Sequence, residues 1–169
     1  MHLYRWDSYD DAKQRLAAIV TPERMEYFIA ARNLLLGQEN AFLDRAPVAE
    51  LTPLWNDQRD WLPGQPAFPN AGNTSELAVS ERVLDFLPGG LLAYWEGFRK
   101  LNAATMGVFC TRLIGVFFVT VGTLHRTFAY HFHKSWTEAE AHRRQLAEFP
   151  DWKAFMEDNR PRMRPCNAS

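Results

Sequence analysis

An α+β fold, an antiparallel sheet with helices on one face, is predicted by three features of this 169-residue chain. Between Glu76 and Pro150 the residues read strand, helix, strand, strand, helix. Two segments far apart in sequence share one strand-to-helix design. The longest apolar run, Leu113 to Val121, is far short of the roughly 20 residues that a membrane helix needs, and fits a buried strand.

The shared design sets His2 to Ala12 against Ala129 to Ala139. Each segment is a short aromatic-rich run ending in a serine with an acid three positions on, Ser8/Asp11 and Ser135/Glu138, the pattern of a strand entering the capping box of a helix. The likeness resumes at Thr21-Pro22-Glu23 and Phe149-Pro150-Asp151. Proline at the first helical position gives up an N–H that would be unbonded anyway, so Pro22 and Pro150 each open a second helix. The chain therefore carries one strand-helix-helix module twice.

Between the copies, Asn56 to Ser75 contains Pro63, Gly64, Pro66, Pro69, Asn70, Gly72 and Asn73, which sustain neither helix nor central strand and mark a linker. Residues 1–55 form a partial half-domain, ending in a closing strand expected at Ala49 to Trp55. Residues 76–169 form the second domain. Glu76 to Leu87 is its first strand, stopped by Pro88-Gly89-Gly90. Leu91, Tyr94, Trp95, Phe98 and Leu101 then recur at spacings of three and four, the buried stripe of a helix on a sheet. The runs Leu113 to Val121 and Thr127 to His133 are joined by five residues from Gly122 to Arg126, short enough for an antiparallel hairpin. A helix follows Ser135. This order is the first five elements of a ferredoxin-like βαββαβ unit. A sixth, closing strand is hard to find in Arg160 to Ser169.

Composition removes several function classes. Lysine and arginine total 19 against 20 for aspartate and glutamate, a formal charge of −1 with no block of one sign, so the footprint of a nucleic-acid binder is missing. The two cysteines, Cys110 and Cys166, form no CxxC and no disulfide framework, which fits a reducing compartment. Met1 to Asp7 lacks the apolar core of a secretory signal, and Asp7, Asp10 and Asp11 argue against a transit peptide. The cytoplasm is the expected location, without a transmembrane segment.

The segment Leu113 to Arg126 resembles the strand, Gly-Pro-Leu turn and returning strand of the NIPSNAP family, with Thr123 in the place of the proline. Ser135 to Pro161 resembles that family's arginine- and alanine-rich helix, its Pro-Glu-Trp step (here Pro150-Asp151-Trp152) and its Arg-Pro close (Arg160-Pro161). His2 to Ser8 and Gln38-Glu39-Asn40 are similar to the same pattern in the first copy. The family's opening Tyr-Glu-Leu-Arg strand is matched by Arg82 and Pro88-Gly89. The resemblance implies ferredoxin-like domains that pair into dimeric α/β barrels, here as a partial tandem repeat whose leading βαβ half is absent, naturally or by truncation. A half-domain leaves an unpaired sheet edge, so a homodimer or domain-swapped oligomer is expected. The resemblance carries no catalytic signature. It implies a protein acting through association and small hydrophobic ligand binding, and family members of this kind include mitochondrial proteins. The alternative is a cofactor-independent enzyme, monooxygenase- or isomerase-like, by analogy of fold.

Candidate site residues are few. His131 and His133 alternate onto one face of a strand, with His125 at the foot of the same hairpin. Metal binding needs three or four ligands and nothing in the sequence completes the set, so neither a metal nor a cofactor is expected. Phe128, Tyr130 and Phe132 occupy the opposite face. If they pack beneath the helices, His131 and His133 face a barrel cavity. Arg82 either binds an acidic ligand group there or reaches solvent, and solvent is the expectation. Cys110, without a paired histidine and acid, is a small buried residue. No Gly-x-Ser-x-Gly elbow and no phosphate loop is present.

Overall fold

The computed structural model describes residues 8–19, 41–52 and 78–165, with Thr21, Pro22, Met25, Glu26 and Ile29. The chain divides into two compact units, Met1–Asn40 and Ala41–Ser169. In the first, α1 spans Tyr9–Ile19 and starts as its capping serine requires, the Asp11 N–H donating to Ser8 Oγ at 3.1 Å. Pro22 is helical, and the Met25 N–H reaches the Thr21 carbonyl at 2.9 Å. The strand expected from Leu3 to Asp7, the linker 56–75 and Cys166 lie outside the described residues.

The second unit is built on four strands, β1 (Phe42–Arg45), β2 (Ala78–Asp85), β3 (Leu113–Val121) and β4 (Arg126–His133). They lie in the order β1-β3-β4-β2, every neighbouring pair antiparallel. Because β2 and β3 both run against β4, they are parallel to each other with β4 inserted between them, the split βαβ arrangement of a ferredoxin-like α+β fold. The crossover between them consists of two helices, α2 (Gly90–Phe98) and α3 (Ala103–Cys110), where the sequence pattern suggested one. Asn102 makes the break: its side chain accepts the Thr105 N–H at 2.8 Å and starts a new helix. After β4 come α4 (Trp136–Glu148) and α5 (Pro150–Asn159). Ser135 caps α4 by accepting the Glu138 N–H, and Pro150 sits in the first turn of α5.

The closing strand expected at Ala49 to Trp55 is corrected by the structure over its described part, Pro53 to Trp55 lying outside the described residues. Ala49–Leu51 is a single 3-10 turn, and the strand lies earlier, at Phe42–Arg45 against β3. Pro47 explains the offset, since a residue without an N–H ends a ladder after Ala46, whose own N–H donates to Val116 O at 2.9 Å. At the other edge of the sheet the sixth element is reduced, among the described residues, to one bridge between Phe86 and Met163. Two backbone bonds flank it, Leu87 N–H to Arg162 O and Arg164 N–H to Asp85 O. Pro161 and Pro165 stand on either side of this short pairing and can donate nothing to a longer ladder.

The main core lies between the sheet and the helices. Tyr94, Trp95 and Phe98 of α2 meet Phe109 of α3, Trp152 and Phe155 of α5, and Val116 and Ala129 of the strands. Tyr94 is ringed by Phe86, Phe98 and Phe155 at centroid distances of 4.8, 4.9 and 5.3 Å. Gly97 lets α5 come this close to α2: a Cβ there would stand 2.6 Å from the Phe155 ring, which is itself buried. Replacing Gly97 by Ala raises helix propensity by about 1 kcal/mol yet forces the ring aside, a strain of about 1–3 kcal/mol. We expect Gly97→Ala to lower the urea midpoint of unfolding with an unchanged m-value.

Candidate functional site

The alternation of β4 decides which side chains meet beneath the helices. Ala129 belongs to the main core, so His131 and His133, two and four positions on, lie on the helix side. The opposite parity carries Phe128, Tyr130 and Phe132 into a second cluster with Ile114, Phe117 and Leu43, made of strand residues only. The conditional reading in which the Phe/Tyr set packs beneath the helices is therefore reversed. Rings from α2, α3 and α5 crowd that side, where the strands contribute Val116 and Ala129 together with Leu113 and Phe118.

On the helix side three imidazoles gather, because α4 contributes His142. The ring centroids of His131 and His142, and of His133 and His142, are 5.4 Å apart; His131 and His133 are 6.3 Å apart. Two of the rings serve one purpose. His131 Nε2 donates to the Phe109 carbonyl at 2.9 Å and His142 Nε2 to the Val108 carbonyl at 2.7 Å. These are carbonyls of the last turn of α3, beyond the reach of its regular helical bonds, and that of Val108 also accepts the N–H of the cap residue Thr111 at 3.1 Å. His133 is buried, with Nε2 3.5 Å from Ser80 Oγ and Nδ1 without a partner.

Burial sets the electrostatics of the cluster. It pulls His131 down to about 4, against the raising effect of its bond to Phe109, and the charges of His142, His133 and Arg82 add to the fall. His133 is lowered as well, first by burial and then by His142, while Glu138 opposes. Arg82 comes to the same region and not to solvent. Its guanidinium donates to Met156 Sδ at 3.3 Å and lies 5.8 Å from the centre of the Trp152 ring, since its position on β2 shares the helix-facing parity of Ser80. His125 stays apart, in the hairpin with a left-handed φ of 66°, its carbonyl accepting the Phe86 N–H. Cys110 is half-buried and its thiol donates to the Glu50 carbonyl at 3.3 Å; burial and the Glu50 charge push it up to about 11, far from a reactive thiolate.

The structure thus brings Arg82, His131 and His133 together and leaves His125 out. His142 is the member that the strand pattern misses. A helical signal was present, because His142 lies four positions before Leu146, the buried residue of α4. Among the described residues no group of three or more His, Cys, Asp or Glu is arranged to hold a metal, and no helix is long and apolar enough to cross a membrane.

Residues 79–165, slightly more than half of the chain, match the family model of NIPSNAP. The chain belongs to the NIPSNAP family. Solved structures similar to it include an uncharacterized NIPSNAP-like domain protein from Burkholderia xenovorans, 23% identical, covering 52% of this chain and 76% of that one with a TM-score of 0.46. Two NIPSNAP family proteins of Agrobacterium tumefaciens strain C58 are also similar. One is 24% identical, covering 52% of this chain and 77% of the other with a TM-score of 0.47. The second, described as of unknown function, is 19% identical, covering 51% and 78% with a TM-score of 0.46. Comparison with curated proteins returns no match. The NIPSNAP match starts at Val79 and ends at Pro165, so it takes in all three histidines of the cluster and Arg82 but not β1.

For this NIPSNAP domain the roles of the imidazoles can be separated by what replaces them. We expect His142→Ala, which leaves the Val108 carbonyl with the Thr111 N–H as its partner, to cost about 0.5–1.5 kcal/mol in chemical denaturation. His142→Gln, which keeps a side-chain N–H, should recover at least half of the loss.

Proposed function

We propose that this NIPSNAP domain works through association with a second copy of itself across the sheet face that carries no helix, and that the pair encloses a small hydrophobic ligand. The observation that supports this reading most directly is the second apolar cluster, Ile114, Phe117 and Tyr130 with Leu43, Phe128 and Phe132, which contains no helix residue. A sheet with one face under helices needs another partner for a face this apolar. Val79, Val83 and Val121 stand exposed on the same face and extend it toward the sheet edges. The dimeric α/β barrels implied by the family resemblance pair sheets in this manner.

That apolar wall also carries a polar pair, whose acid is exposed. Glu81 lies directly opposite Tyr130 across β2 and β4, and burial together with the hydrogen bond to Glu81 holds the Tyr130 phenol far above its ordinary range. A wall of rings with one acceptor pair suits a small apolar molecule with a single donor group. The free Cys110 thiol fits the reducing cytoplasm that belongs to this proposal.

Light scattering on the purified chain tests the association. We expect twice the 19.6 kDa chain mass, and native mass spectrometry of the same sample to show any retained ligand. Val83→Asp changes a residue 38% exposed, so the fold should survive, while an unpaired charge in the interface should weaken association on the order of a hundredfold. A wild-type monomer at all concentrations would reject the proposal.

A further inference from the structure

The helix that ends at Cys110 is held at that end by its own cap residue Thr111, whose N–H reaches the Gly107 and Val108 carbonyls, and by histidines from two other elements. The carbonyls of Val108 and Phe109 are taken by His142 of α4 and His131 of β4, and the third imidazole, His133, packs against His142 with its Nδ1 unpartnered. A carbonyl can only accept, so both bonded rings carry a proton on Nε2; for His131 burial outweighs the bond to Phe109 and disfavours a second proton on Nδ1. Adding a proton places a full charge on Nδ1 within a few ångströms of two other imidazoles. Charges from the neighbouring elements add to this. Arg82 of β2 acts against a charged His131, and Arg112, in the turn between α3 and β3, against a charged His133. Glu138 of α4 is the acid that faces His133, but its Oε1 is engaged by Arg112 at 2.6 Å and its Oε2 accepts the Lys134 N–H.

We propose that His131, His133 and His142 form a proton-operated latch that holds the C-terminal end of α3 against β4 and α4 and releases it on acidification. Water and protons have a route, since an open crevice of about 190 Å³ is lined by His133, His142, Arg112, Glu138 and Gln145. The released end has a definite reach, because the Cys110 thiol bonds to Glu50 in the 3-10 turn that follows β1. Letting go of α3 therefore loosens the connection behind the edge strand.

The direction follows from linkage. His131 and His133 take up protons less readily in the folded chain than at the ordinary value of 6.5, so the unfolded or opened chain binds more protons on acidification. The contribution of the latch is complete above pH 6.5 and is lost as the pH falls toward about 4. Each unit of depression corresponds to about a tenfold shift in the opening equilibrium.

Hydrogen exchange on the full chain, corrected for intrinsic rates, tests the latch. Amides of residues 107–111 should lose at least tenfold in protection between pH 7.5 and 5, and regain it on return, while those in the centre of β4 change less. In the double variant His131→Gln/His142→Gln, which keeps side-chain N–H donors but cannot titrate, the pH dependence should flatten. If that variant does not fold, imidazole titration of the wild type by NMR decides: at least two of the three rings must titrate below 6. Ordinary titration of all three, or a loss of protection that persists in the folded variant, would overturn the proposal.

Discussion

Volume under the helices governs this domain. Tyr94, Trp95, Phe98, Phe109, Trp152 and Phe155 all project from helices onto one face of a four-stranded sheet. Where these rings crowd the sheet the strands answer with Val116 and Ala129, while Leu113, Phe118 and His131 pack beside them. Once Ala129 is committed to that side, every other residue of β4 is committed too. Its large rings turn to the other face and its histidines turn inward. Position on the strand, and not the affinity of imidazole for a core, buries His131 and His133.

The short helix α3 shows what this arrangement must then solve. With eight residues it has few internal hydrogen bonds relative to its unsatisfied ends. Both ends are held by side chains from elsewhere. At the start, Asp151 of α5 accepts from the Asn102 N–H and from Thr105 Oγ1, at 3.0 and 2.6 Å, beside the Asn102 cap. At the finish stand the two imidazoles. The Asp151 carboxylate at the N-terminus also matches the helix dipole. The cost is a set of buried titratable groups, and this makes the region sensitive to protons.

The two edges of the sheet are treated differently. Beside β3, the strand Phe42–Arg45 adds a fourth member from upstream in the chain. Beside β2, pairing stops at one bridge to Met163. On its inner side β2 is tied to β4 near Asp85, the Arg126 guanidinium meeting the Asp85 carboxylate at 2.7 and 3.0 Å and drawing its titration downward. Pro47 ends the first pairing and Pro161 and Pro165 flank the second, a missing N–H being an economical means of stopping a ladder.

Local features of the sequence were sufficient for much of this. Ser8, Ser135 and Pro150 marked helix starts because caps and first-turn prolines act within one turn, and Leu113 to Val121 read as a strand because burial on both faces leaves a continuous apolar run. The ferredoxin-like order and the family likeness followed from the same short-range signals. Asn102 as a second helix start, and His142 as the partner of His131 and His133, were written in the sequence but had meaning only once α3 and α4 met. Which face of β4 turns toward the helices was beyond any local pattern, since both faces alternate equally well. That choice, with the burial of Arg82 against Trp152 and the pairing of Phe42–Arg45 with β3, depends on volumes and edges contributed by distant segments, and only the assembled tertiary structure decides it.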